Sequence, residues 1–204
     1  MTRNRYCMSF TTGGLFHNES LKLAILYLEL ENWNSVQKKA ISGNLLQART
    51  ISTLIRVLHE VIDRLKTLNH EELNLLVYSN PQDQKYLLWL AICRRYKFIA
   101  DFSIEVLRER YITFKTDLNN EDFDSFLNKK TECHPELDKL SLSTRAKLRQ
   151  VLFKMLRESD LLTENNIINA AMLSPILLKI IARVNSGDVL FFPVFESDIK
   201  GISK

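Results

Sequence analysis

Glycine and proline are scarce in this chain, five and four among 204 residues, and so little punctuation excludes a fold of many short strands and tight turns. Long helices are the natural alternative. Cysteine is sparse too: Cys7, Cys93 and Cys133 are odd in number and share no short spacing, so neither a disulfide framework nor a zinc site is expected, and a reducing compartment fits. No segment reaches the roughly 18 uninterrupted apolar residues of a membrane span. The nearest stretch, 170–184, contains Pro175, Lys179 and Arg183. The first residues, Met-Thr-Arg-Asn-Arg-Tyr, hold no apolar core of a secretory signal, so a cytoplasmic location is expected.

Motifs of catalysis are missing as well. Gly13-Gly14 lacks the further glycine and the Gly-Lys-Ser/Thr ending with which a backbone loop cradles phosphates, and there is no nucleophile elbow or HExxH. His17, His59, His70 and His134 are dispersed. Cys133 and His134 are adjacent, and neighbours in sequence point in different directions, so no thiolate–imidazole pair is implied. Glu71-Glu72 and Asp122 with Asp124 fit first-turn charges that favour a helix dipole better than an acid/base dyad. The expectation is a protein that is not an enzyme, with no cofactor, no metal and no small-molecule substrate.

What is present is an ordinary globular composition, 46% apolar and 25% charged, with a net charge of +4. The charge is unevenly distributed. Residues 1–116 carry 16 Lys+Arg against 11 Asp+Glu, residues 117–140 carry 3 against 7, and residues 141–204 carry 9 against 6. Two basic lobes thus flank an acidic connection, giving an irregular arm (1–17), an N-terminal helical lobe (18–116), an acidic connecting segment (117–140) and a C-terminal basic helical lobe (141–204).

Within these limits the pattern predicts helices from Asn18 to about Glu31, with Leu21, Ile25 and Leu28 inside, and from Asn34 to Ser42-Gly43. A third runs from about 46–48 to Leu68, carried by Ile51, Ile55, Leu58, Ile62 and Leu65. Asn69 opens a helix to Tyr78, and Ser79-Asn80-Pro81 ends it while starting a long central rod from Gln82 to about Phe114. In the second lobe Ser143 caps a helix to Glu158 whose inner face is Leu148, Val151, Leu152, Met155 and Leu156; a turn or short helix follows near 165–172, and a helix spans Pro175 to Val184. Asp188–Val194 is the one β-prone run, an edge strand or extended tail broken by Pro193. The order of these last elements is compatible with a winged-helix-like module.

Three basic clusters fit phosphate contact, which needs cations on one surface rather than a fixed motif. The densest is Arg145, Lys147, Arg149, Lys154 and Arg157, with no acid before Glu158. Arg94, Arg95 and Lys97 interleave with Tyr96, and Lys38 and Lys39 precede Arg49. A solvated outer face is the competing reading of each, Arg94 has Asp101 as a possible neighbour, and Arg56, Glu60, Asp63 and Arg64 pair among themselves at helical spacing. Arg3 and Arg5 lie on an arm able to reach a groove.

The chain resembles the BrxA family, the small helical component of BREX phage-defence operons. The resemblance is carried by residues 10–19 (FTTGGLFHNE), Trp33, Asn44-Leu-Leu-Gln47, Arg64–Leu68, Asp101–Val106, His134–Leu137, Ser143–Arg149 and Met155–Glu158. It covers nearly the whole chain. It implies an all-α, two-lobed helical bundle similar in part to the antitermination factor NusB, double-stranded DNA as partner, and action beside a methyltransferase and other BREX proteins. A protein–protein adaptor and an RNA-binding protein remain the alternatives.

Overall fold

Capping side chains set most of the helix boundaries in the computed structural model, which describes residues 5–195; Arg3 lies outside them. Asn69 accepts from Glu72 N at 2.8 Å while the Glu72 carboxylate accepts from Asn69 N at 2.8 Å, a reciprocal box that starts α4 (His70–Tyr78). Asn80 accepts from Gln82 N and Asp83 N, and Pro81 occupies the first turn of α5 (Pro81–Arg95). Both starts fall where the sequence places them. Two others start two residues earlier than the sequence suggests: Asn32, not Asn34, accepts from Ser35 N and caps α2 (Trp33–Ser42), and Ser141, not Ser143, accepts from Thr144 N and caps α9 (Leu142–Glu158). Thr50 caps α3 (Ile51–Leu65), and Ser174 followed by Pro175 starts α10 (Pro175–Asn185).

The first helix, α1 (His17–Leu30), has no side-chain cap; Phe16 enters it with φ 56° and Glu31 leaves it with φ 50°. Its buried residues are Ser20, Leu23, Ala24 and Leu26, and Ile25 is 45% exposed, so the expected inner face is rotated. Leucine occupies so many positions of this helix that periodicity alone does not fix its phase. Packing against α2, α3, α4 and α5 does.

The expected central rod is broken. Every residue of α5 from Tyr86 to Cys93 is buried, as a helix surrounded by helices requires, but Tyr96 turns extended (φ −120°, ψ 94°). A second helical run then proceeds as α6 (Lys97–Phe102), a π-helical turn (Ser103–Arg108) and α7 (Glu109–Ile112). The turn seats the Tyr96 ring in the core beside Phe10, 5.4 Å between centroids, and its hydroxyl donates to the Glu60 carboxylate at 2.6 Å.

Residues 5–16 are irregular, yet Tyr6, Phe10 and Leu15 are buried, so this segment is docked rather than a free arm. Tyr6 stacks on His134 with 3.9 Å between centroids and donates its hydroxyl to Asp101 at 2.5 Å. Burying side chains of this size contributes about 1.5–3 kcal/mol each, enough to fix a segment with no secondary structure.

In the acidic stretch, α8 (Asn120–Thr131) sends Phe123, Phe126 and Leu127 into the same core, where both phenylalanines meet Phe98 and Phe102. The inner face of α9 is the predicted one, with Phe153 added. Among the described residues there is no strand; isolated bridges join Asp117 to Ile167 and Leu162 to Ile168. The β-prone run becomes a 3-10 helix (Ser186–Phe191) followed by extended residues, so no paired-strand wing forms there. Trp89 Nε1 donates to Phe191 O at 3.1 Å, which anchors that helix on α5.

Candidate nucleic-acid interface

The eleven cations singled out in the sequence lie on three separate parts of the molecule and differ in what already holds them. Arg94, at the end of α5, is enclosed. It donates to both Glu72 oxygens at 2.7 and 2.8 Å, to Asp188 at 2.7 Å and to Thr67 O at 3.1 Å. Burial pulls its pKa down, and the bonds to Glu72 and Asp188 more than reverse this, holding it above the ordinary range. The pairing with Asp101 does not form, because Asp101 instead faces Tyr6 and Lys130. Next to it Arg95 pairs with Asp63 at 3.1 Å and lies over the Tyr96 ring, while Lys97 is exposed and meets no carboxylate among the described residues.

The α9 stripe finds acids that its own sequence neighbourhood does not show. Arg149 bonds Asp124 of α8, and Arg145 reaches Asp138 at 4.0 Å as well as the Leu137 and Leu140 carbonyls at 3.3 Å. Lys154 pairs with Glu158 at 3.6 Å; Arg157 lies 3.8 Å from Glu164 and donates to Asn166 at 2.6 Å. Among the described residues Lys147 bonds Gln150, at 3.1 Å, and no carboxylate. Five cations therefore share one side of the molecule with four carboxylates. Arg145 and Arg149 also line a groove of about 370 Å³ between α8 and α9, beside Leu142, which is 85% exposed.

The α2–α3 hairpin is different. Lys38 and Arg49 are exposed without a carboxylate among the described residues, and Lys39 approaches Glu29 only at 3.9 Å with both side chains well exposed. Arg56 on α3 is equally open. The pairing expected for it fails because Glu60 takes Arg64, at 2.7 Å, and Asp63 takes Arg95. The Gln37 and His59 side chains bond at 2.7 Å and tie α2 to α3 beside Lys38 and Arg56. A simple signal would have revealed this surface in the sequence: residues 32–59 contain no Asp or Glu.

Among the described residues no group of three or more His, Cys, Asp and Glu is placed to hold a metal ion. His134 bonds Glu136 at 3.1 Å rather than Cys133, and burial pushes the Cys93 thiol up. No helix among the described residues is long and apolar enough to cross a membrane.

The model of the BrxA family matches residues 4–185. A protein of Escherichia coli O9:H4 (strain HS), named BREX protein BrxA, is 27% identical over 181 residues, covering 87% of this chain and 84% of its own length. A protein of Bacillus cereus (strain H3081.97) with the same name is 25% identical over 182 residues, covering 88% and 90%. The fold is similar to the crystal structure of an uncharacterized protein from Magnetospirillum magneticum, with TM-score 0.79, 22% identity and coverage of 93% of this chain and 98% of that one.

Proposed function

The chain belongs to the BrxA family, and from that premise we propose that this BREX component is a non-catalytic protein of phage defence that binds double-stranded DNA through phosphate contacts, with little sequence preference. The observation that carries the reading is that, of the eleven cations above, Lys38, Arg49, Lys97 and Lys147 are exposed with no carboxylate partner among the described residues, as is Arg56 beside them on α3. Together with the net charge of +4 they leave positive potential outside the molecule, which is what a polyanion recognises without base contacts. Arg95, Arg145, Arg149, Lys154 and Arg157 sit in surface pairs worth about 0–1 kcal/mol each, which phosphate can exchange at low cost.

An adaptor that contacts other BREX proteins is the second reading. It is supported by Leu142 (85% exposed) at the α8–α9 groove and by Met172 (77% exposed) before α10. Gel shifts on random-sequence duplex DNA, single-stranded DNA and RNA, each across a salt series, separate the readings. Duplex binding whose log affinity falls linearly with log salt is expected. Absence of duplex affinity at low salt overturns the proposal in favour of the adaptor; a strong preference for RNA overturns it in favour of RNA binding.

A further inference from the structure

We infer that the surface facing the duplex is the outward side of the α2–α3 hairpin, with Lys38, Arg49 and Arg56 on phosphates, and that the longer α9 stripe is not the principal contact. This rests on the duplex-binding reading above. Three observations converge on it.

The first is directional. On α2 the buried residues are Val36 and Ala40, and Lys38, midway between them in sequence, points away from the core. On α3 the buried side is Leu54, Leu58, Val61, Ile62 and Leu65, which turns Ser52, Arg56 and His59 outward. The 2.7 Å Gln37–His59 bond holds these two outward sides next to each other, so Lys38 and Arg56 flank one bridge.

The second is that Arg49 is presented by a fixed loop. Asn44, in the left-handed region at φ 42°, accepts from Ala48 N at 2.9 Å and donates to Ala48 O at 3.1 Å. Thr50 then caps α3 through Thr53 N. The cation stands between two locked points, so binding orders little backbone.

The third is electrostatic and decides between the two basic regions. On α9, Arg145, Arg149, Lys154 and Arg157 meet Asp138, Asp124, Glu158 and Glu164, and Lys147 stands among them. Phosphate can displace these carboxylates from their partners but cannot remove them, and each one left nearby repels it. From residue 32 to 59 no carboxylate exists to repel. The flanking acids are Glu31 before α2 and Glu60 in α3, whose carboxylate is already bonded to Arg64 and Tyr96, with Asp63 bonded to Arg95 beyond it. Among the described residues the one carboxylate paired with any of Lys38, Lys39, Arg49 and Arg56 is Glu29, at 3.9 Å from Lys39.

Salt titration on random-sequence duplex tests the assignment with wild type, K38A/R49A/R56A and K147A/K154A/R157A. None of Lys38, Arg49 and Arg56 makes a side-chain bond among the described residues, so the first variant should melt at the wild-type temperature. Its slope of log affinity against log salt should fall by about 1 per residue removed, roughly 3 in all. The α9 variant should lose no more than about 1, from Lys147. A wild-type slope in K38A/R49A/R56A, with the loss moved to the α9 variant, overturns the surface and leaves duplex binding standing. Wild-type protein that does not bind duplex at all removes the underlying reading itself.

Discussion

Arg94→Met removes one cation from between two carboxylates that water does not reach. Glu72 is 0% exposed and Asp188 4% exposed, and the guanidinium meets them at 2.7 and 2.8 Å. Breaking a buried pair in this way costs about 3–5 kcal/mol. Each carboxylate keeps one other donor, Asn69 N for Glu72 and Asn185 Nδ2 for Asp188, both at 2.8 Å, which places the loss at the lower end, about 3 kcal/mol. For a chain of this size that corresponds to a midpoint lowered by roughly 6–12 °C. Urea unfolding followed by circular dichroism at pH 7 reads the loss directly as a shift in midpoint at constant slope. The neutralised triple variant R94M/E72Q/D188N should recover much of it, because the cost lies in uncompensated charge rather than in lost packing. Well below its midpoint R94M should bind duplex as wild type does, since the guanidinium is fully engaged inside. A loss under about 1 kcal/mol, or a triple variant no more stable than R94M, refutes the reasoning.

Tyr96→Phe removes the hydroxyl that donates to Glu60 at 2.6 and 2.8 Å and should cost about 1–3 kcal/mol by chemical denaturation, with the break after α5 retained. Phe123→Ala should cost about 3–5 kcal/mol, because its ring packs among Phe98 and Phe102; a change below about 1 kcal/mol would mean that α8 does not share the core. The Glu136 carboxyl is raised by burial, but the Tyr6 N–H and His134 outweigh this and hold it below the ordinary carboxylate value. A depressed folded pKa stabilises above the unfolded value, near pH 4.3, and the contribution disappears as pH falls through the folded one. The stability gap between wild type and Glu136→Gln, measured by urea unfolding, should therefore be present at pH 6 and close in acid; a gap that widens in acid contradicts the docking of residues 5–16 described here.

Local chemistry was legible without the fold. The shortage of glycine and proline gave helices, Asn69 and Asn80-Pro81 marked real boundaries, and the α9 residues Leu148 to Leu156 faced inward as their spacing required. Each of these is decided within one or two turns of chain, by a cap, a fixed proline φ or a 3.6-residue period. The lysines and arginines were visible too, and so was the acid-free stretch 32–59, which signals a surface because no fold can supply it with carboxylates from within.

The tertiary structure alone decided which cations stay open. Arg94 meets residues 72 and 188, Arg149 meets Asp124, and Asp63 turns to Arg95 and leaves Arg56 unpaired. The rotation of α1, the break at Tyr96 and the docking of Tyr6 belong to the same class. Side-chain charges interact through space with whatever packing brings near, so their partners follow from which surfaces meet and not from distance along the chain.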